Sequence, residues 1–182
     1  MKTVVSKYGL WVPLIVVLLL LGCGLALVVS LKVRPRSDES LAHKFVEKRA
    51  EMDRLRSIIA TNLAISTIQR HAESKDVLLA TDKNGRTVAV SELGDAGKEL
   101  RTLFNLIGCD YACQNASEFI IALPRNGIED LYPGGVKVYA FRSNGPAVLV
   151  DSIDSFRQQH RGQYGYYQEL SNSWYIKYEE AH

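Results

Sequence analysis

The side chains best suited to chemistry lie close together at Cys109-Asp110-Tyr111-Ala112-Cys113. Two thiols at this spacing admit three readings. A disulfide would close a tight loop and pin the chain where it enters the next strand, contributing about 1–2 kcal/mol because a short loop removes little chain entropy. Two free thiols are the second reading. A redox or metal centre is the third, although the spacing is not Cys-x-x-Cys and a pair supplies only part of a tetrahedral zinc set. The disulfide between Cys109 and Cys113 is the leading expectation. Asn115-Ala116-Ser117, just beyond, has the form of a glycosylation acceptor.

Other reactive groups are scattered. His43, His71, His160 and His182 fall in no HExxH motif and in no Cys/His cluster, so no metal ligand is assigned. Gly94 and Gly97 flank Asp95 without the lysine–hydroxyl pair of a phosphate loop, and no GxSxG elbow occurs. Asp151 and Asp154 sit where a helix should begin, and capping accounts for them. The sequence thus names no catalytic residue and no cofactor, and it leans against an enzyme while leaving a dispersed site open. A formal net charge of +2, with no basic run interleaved with aromatics, excludes nucleic acid as the expected partner.

Aromatic side chains crowd the C-terminal part: Tyr164, Tyr166, Tyr167, Trp174, Tyr175 and Tyr178. On paired strands they stabilise a hairpin by cross-strand contact. Such residues are also favoured at recognition surfaces, where they bury large areas at low entropic cost. The six are therefore the candidate partner-binding residues.

The elements that position these groups begin with an apolar run. Leu10 to Leu31 carries no charge over about 22 residues; at about 1.5 Å per residue it would span about 33 Å, against about 30 Å of bilayer hydrocarbon. Trp11 suits the interface at its leading edge, and Lys2, Lys7, Lys32, Arg34 and Arg36 flank it. The sequence predicts a retained single-pass signal anchor bounded by Leu10, Trp11 and Leu31, with the lipid bilayer as a partner. A cleaved leader is one alternative; lipidation at Cys23 is another, because Leu20-Leu21-Gly22-Cys23 resembles a lipobox. The richer basic flank on the C-terminal side points the domain to the cytoplasm. The short basic start and two closely spaced domain cysteines favour an extracytoplasmic domain, which is the expected placement.

Four segments follow: a basic tail over 1–9, a transmembrane helix over 10–31, a linker and helical stalk over 32–73, and an α+β domain over 74–182. Pro35 breaks the helix, and Asp38 and Glu39 then suit the first turn of a stalk running to about Glu73. Leu41, Phe45, Met52, Leu55 and Ile59 recur in threes and fours along it, a stripe that could also join copies into a homo-oligomer. Val77–Thr81 and Arg86–Ser91 read as a hairpin about Asn84-Gly85. Leu100, Leu103, Phe104 and Ile107 mark an amphipathic helix that Asp95 caps and Gly108 stops. Glu118–Leu123 is a strand, Val136–Phe141 and Ala147–Val150 a second hairpin, Ile153 and Phe156 the inner face of a second short helix, and Tyr164–Leu170 and Trp174–Glu179 a third hairpin. The fold class is α+β, a small antiparallel sheet built from hairpins with two short helices behind a membrane anchor and stalk.

This layout is similar to that of type IV pilins and pseudopilins, but Leu14 stands where their processing motif carries glutamate, and Pro35 interrupts their continuous helix. The residues do not place the chain in that family. The reading is a non-enzymatic protein-interaction module of accessory, assembly or immunity type at a membrane face. The alternatives are a membrane-bound enzyme or small-ligand sensor and a structural subunit assembling through its helices.

Overall fold

The computed structural model describes residues 16–19, 36–61, 65–74, 76–124, 135–160 and 163–180. The chain divides into two compact units. One comprises Met1–Arg34 and Asn126–Tyr132, of which only 16–19 are described, as helix. The other, Pro35–Arg125 with Pro133–His182, holds all that follows.

Its first element is α1, Asp38–Thr61, 24 residues with Asp38 and Glu39 in the first turn. Leu41, Phe45, Met52, Leu55, Ile58 and Ile59 are buried along one stripe, the i, i+4, i+7 spacing of a helix lying on a core. The strands are β1 (Ile65–Arg70), β2 (Leu78–Asp82), β3 (Thr87–Ala89), β4 (Tyr111–Gln114), β5 (Phe119–Ala122), β6 (Gly135–Phe141), β7 (Tyr166–Ser171) and β8 (Trp174–Glu180). They form one sheet in the order β3-β2-β1-β4-β5-β6-β8-β7, antiparallel at every neighbouring pair. α2 (Gly94–Ile107) follows β3 through a 3-10 turn at Val90–Leu93, and α3 (Ile153–Gln159) precedes β7.

The helices share one face of the sheet, and alternation along the strands sends one residue in two beneath them. Ile68, Ala80, Ala112, Phe119, Ile121, Tyr139, Trp174 and Ile176 meet the buried stripe of α1 and Leu100, Phe104 and Ile107 of α2 in one core. Trp174, 1% exposed, is its hub: Phe45, Phe119 and Phe141 rings lie 5.5–6.3 Å from its own. Its indole N–H donates to Asp53 at 3.0 Å, so the polar end of the ring is satisfied where α1 crosses it. Gly97 lets the 3-10 turn press on α2, since a Cβ there would lie 1.9 Å from the Val90 carbonyl oxygen.

A buried ion cluster ties α1 to α3. Lys137 of β6, its side chain 2% exposed, places Nζ 2.6 Å from both Asp38 Oδ1 and Asp154 Oδ1 and donates to the Arg36 carbonyl at 2.9 Å. The two aspartates cap each other's helix. Asp154 Oδ2 accepts the Asp38 N–H at 2.9 Å, and Asp38 Oδ2 accepts the Asp154 N–H at 2.9 Å and the Ser152 hydroxyl at 2.8 Å. Free N–H groups and the positive dipole end at a helix start favour carboxylates there. Burial pushes the Asp38 carboxyl up, but the Asp154 amide, Lys137 and Ser152 outweigh it and hold it below the ordinary value.

Several expectations are corrected. The predicted span and its markers Leu10, Trp11 and Leu31 lie outside the described residues, as does Cys23; within the span only 16–19 are described. Among the described residues no helix is long and apolar enough to cross a membrane. α1 has the length, but its outer face carries Lys, Arg, Glu and Asp side chains. The transmembrane and signal-anchor assignment, and the single-pass localisation built on it, are withdrawn. The fold is a mostly antiparallel eight-stranded sheet with helices on one face.

The stalk is also corrected. Helix ends at Thr61, Ile65–Arg70 is β1, and the stripe expected to be free for assembly is the floor of this chain's own core. Cys113 lies on β4 rather than in a loop. The second hairpin does not form: β6 pairs with β5 and β8, and Leu149 makes only an isolated parallel bridge with Tyr167. The β2–β3 and β7–β8 hairpins stand as expected, as do the left-handed cap of α2 at Gly108 and α3 with Ser152 as its cap. The expected Asp95 cap of α2 does not: Leu93 is the N-cap with no side-chain bond, and Asp95 lies inside the first turn, paired with Lys98.

Candidate functional site

α1 overhangs the outer edge of the sheet and leaves a groove between itself and β7. Ala42, Phe45, Val46 and Arg49 line it from the helix, Leu170 and Ser171 from the strand, and it encloses about 380 Å³. Residues 42, 45, 46 and 49 follow the helical repeat, so they form one flank. Phe45 is 2% exposed and belongs to the core, whereas Val46 beside it is 77% exposed. Arg49 closes the polar end; its Nη1 donates to the Ser171 hydroxyl at 3.4 Å, and its Nε stands 3.7 Å from Asp53 Oδ2.

β7 is the edge strand beside this groove. The segment through Leu149 runs along part of it in parallel: Tyr167 N–H donates to the Val148 carbonyl at 3.0 Å, and Val150 N–H donates to the Tyr167 carbonyl at 2.8 Å. Beyond Tyr167, toward Leu170 and Ser171, no described segment covers the edge. Val148 and Leu149 are about half exposed.

On the face away from the helices a second charged cluster forms. Lys177 of β8 stands 2.5 Å from Glu118 Oε1 and 2.5 Å from Glu179 Oε1. Tyr167 donates its hydroxyl proton to Glu118 Oε2 at 3.1 Å, and Arg142 donates to the Tyr167 oxygen at 2.9 Å. Burial lowers the Lys177 pKa, but Glu118 and Glu179 outweigh it and raise it above the ordinary lysine value, so the amine stays a cation and is no nucleophile. The cluster cross-braces β5, β7 and β8 above Ala140, Tyr167 and Tyr175.

The two domain cysteines are free. Cys109 is buried with Ala112 in the helix-side core, and alternation sends Cys113 to the opposite face, so the sheet lies between the thiols. Burial pushes the Cys109 thiol up to about 12 and raises Cys113 as well. Both are protonated at neutral pH, which removes the thiolate that redox or nucleophilic chemistry needs. Among the described residues no group of His, Cys, Asp and Glu is arranged to hold a metal ion.

The six aromatics are not brought together on a surface. Tyr166, Tyr167, Trp174, Tyr175 and Tyr178 are each at most 7% exposed, and only Tyr164 reaches 37%. Tyr166 and Tyr178 pair across strands with ring centroids 5.3 Å apart, Tyr167 and Tyr175 edge-on at 6.0 Å. Their positions give the cross-strand reading rather than the recognition one. Asn115 spends its side-chain oxygen on the Ser117 and Glu118 amides and the Ser117 hydroxyl, turning the chain from β4 to β5.

Sequence reasoning missed the groove, because Val46 is the i+1 neighbour of Phe45 and looked like the charged side of a stalk. It also missed Lys137 and Glu118, though each is a charge embedded in or abutting an apolar strand. That pattern signals a buried partner. No protein-family model matches the chain, no curated protein matches it, and no solved structure matches it.

Proposed function

We propose that this domain is a protein-interaction module that binds an extended segment of a partner protein along the open edge of β7, with an apolar side chain seated in the groove. The carrying observation is that the chain already pairs one extended segment, through Leu149, with this strand in the same sheet plane. A strand added at an edge gains main-chain hydrogen bonds, and alternate side chains supply specificity. Side chains directed to the helix side would meet Val46, Ala42 and Leu170 and find Arg49 at the end. The fitting segment therefore carries an aliphatic residue near a carboxylate. The protonated cysteines and the cationic Lys177 support a binding rather than a catalytic reading.

The test is selection of peptides from a random library against the folded domain, followed by amide shift mapping. Peptides pairing an aliphatic with an acidic residue, shifting Leu170 and Ser171 and losing affinity about tenfold or more against Val46→Asp, are expected. Selected peptides that bind Val46→Asp as well as the parent would refute the site.

A further inference from the structure

The sequence holds three Asn-Gly pairs, and the two among the described residues, Asn84-Gly85 and Asn144-Gly145, lie at exposed turns. This dipeptide is chemically labile because glycine, lacking Cβ, lets its backbone nitrogen reach the preceding side-chain amide. The structure treats the two pairs differently. At the first, Asp82 Oδ1 accepts both the Asn84 N–H at 2.8 Å and the Arg86 N–H at 2.9 Å. The Gly85 N–H donates to the Asp82 carbonyl at 3.1 Å, and Asp82 N–H to the Arg86 carbonyl at 2.9 Å. The attacking nitrogen is thus engaged, and the turn is held by four hydrogen bonds with Gly85 at φ +82.

At the second pair nothing comparable exists. Asn144 and Gly145 are both exposed, and a Cβ on Gly145 would meet nothing within 4 Å. Among the described residues neither the Gly145 amide nor the Asn144 side chain makes a hydrogen bond. The pair lies between the end of β6 and the segment that pairs with Tyr167, in a stretch with no regular structure.

We infer that Asn144 is a site of spontaneous modification in the folded protein and that Asn84 is protected. Hydroxide removes the Gly145 amide proton, and the nitrogen attacks Asn144 Cγ. The new C–N bond forms as the side-chain nitrogen leaves as ammonia, giving a five-membered succinimide. One water then opens the ring at either carbonyl, so the net change is asparagine plus water to aspartate or isoaspartate plus ammonia. The product lowers the formal net charge of +2 by one and sets a carboxylate two positions from Arg142, the partner of Tyr167. The isoaspartyl form also lengthens the main chain by one methylene just before the segment that covers β7.

The experiment incubates the full chain, folded, in mildly alkaline buffer and follows both peptides by mass spectrometry with isoaspartate-resolving chromatography. Expected is a gain of one mass unit at Asn144 roughly tenfold faster than at Asn84, a ratio set by the hydrogen bonds that must open at the first turn. Asp82→Ala should raise the Asn84 rate toward that of Asn144, and the two rates should converge in urea. Equal rates in the folded protein, faster reaction at Asn84, or a rate gap that persists in urea would each overturn the inference. Asn144→Gln identifies the reacting residue, because it must abolish the mass gain in that peptide.

Discussion

The sheet carries a lysine between two carboxylates on each of its faces, on neighbouring strands. Lys137 of β6 holds Asp38 and Asp154 beneath the helices; Lys177 of β8 holds Glu118 and Glu179 on the other face. The local chemistry is alike, but what is joined differs. Lys177 and its partners brace strands that already share a sheet. Lys137 joins a helix start, a strand and a second helix start whose cap groups stand 116 residues apart in sequence. Its carboxylates serve twice, as ion partners and as helix caps. The same triad is therefore reinforcement in one place and a fastening in the other.

That contrast predicts an order of effects. Lys137→Met should cost the most, about 3–5 kcal/mol by urea denaturation, because it strands the buried Asp38 carboxylate, with Asp154 beside it, without a cation. Lys177→Met should cost less, about 1–3 kcal/mol, because the amine itself is nearer water than that of Lys137, 12% exposed against 2%, and Glu118 keeps Arg142 and Tyr167. If Lys177→Met proves the costlier, the distinction between fastening and brace is wrong.

Acid sharpens the comparison. The folded-state pKa of Asp38 is depressed, so its contribution is complete above the unfolded carboxyl value near 3.8 and is lost as pH falls through the lower, folded value. Asp38→Asn should flatten that acid limb in thermal melts across pH and cost about 1–2 kcal/mol at neutral pH from the weakened cap. An unchanged acid limb would remove Asp38 from the account. The smallest effect belongs to the outer face: Tyr167→Phe deletes one hydroxyl shared by Glu118 and Arg142 and should cost about 1 kcal/mol.

Local elements were legible where punctuation is local. Asn84-Gly85, Gly108 and the turn at Asn172-Ser173, with φ of 45 and 69, mark real boundaries. β1 was absorbed into a helix because Ile58 to Ile68 is apolar without a charge, and short apolar runs do not distinguish helix from strand. β4 was hidden by its cysteines, which suggested a loop. The groove and both ion clusters were beyond reach for another reason. Lys137 meets Asp38 across 99 positions and Glu118 meets Lys177 across 59, and no window of sequence contains both members.

The position of β8 has a consequence for how the fold arises. It is last in chain order among the strands, yet it lies between β6 and β7 and supplies Trp174 and Ile176 as the floor for α1. During vectorial synthesis α1 emerges first and waits for both its floor and its Asp154 cap. Contacts this distant in sequence slow folding, and until β8 arrives the stripe from Leu41 to Ile59 lacks that floor. Nascent chains halted before Trp174 should therefore be substrates for chaperones that recognise apolar helices.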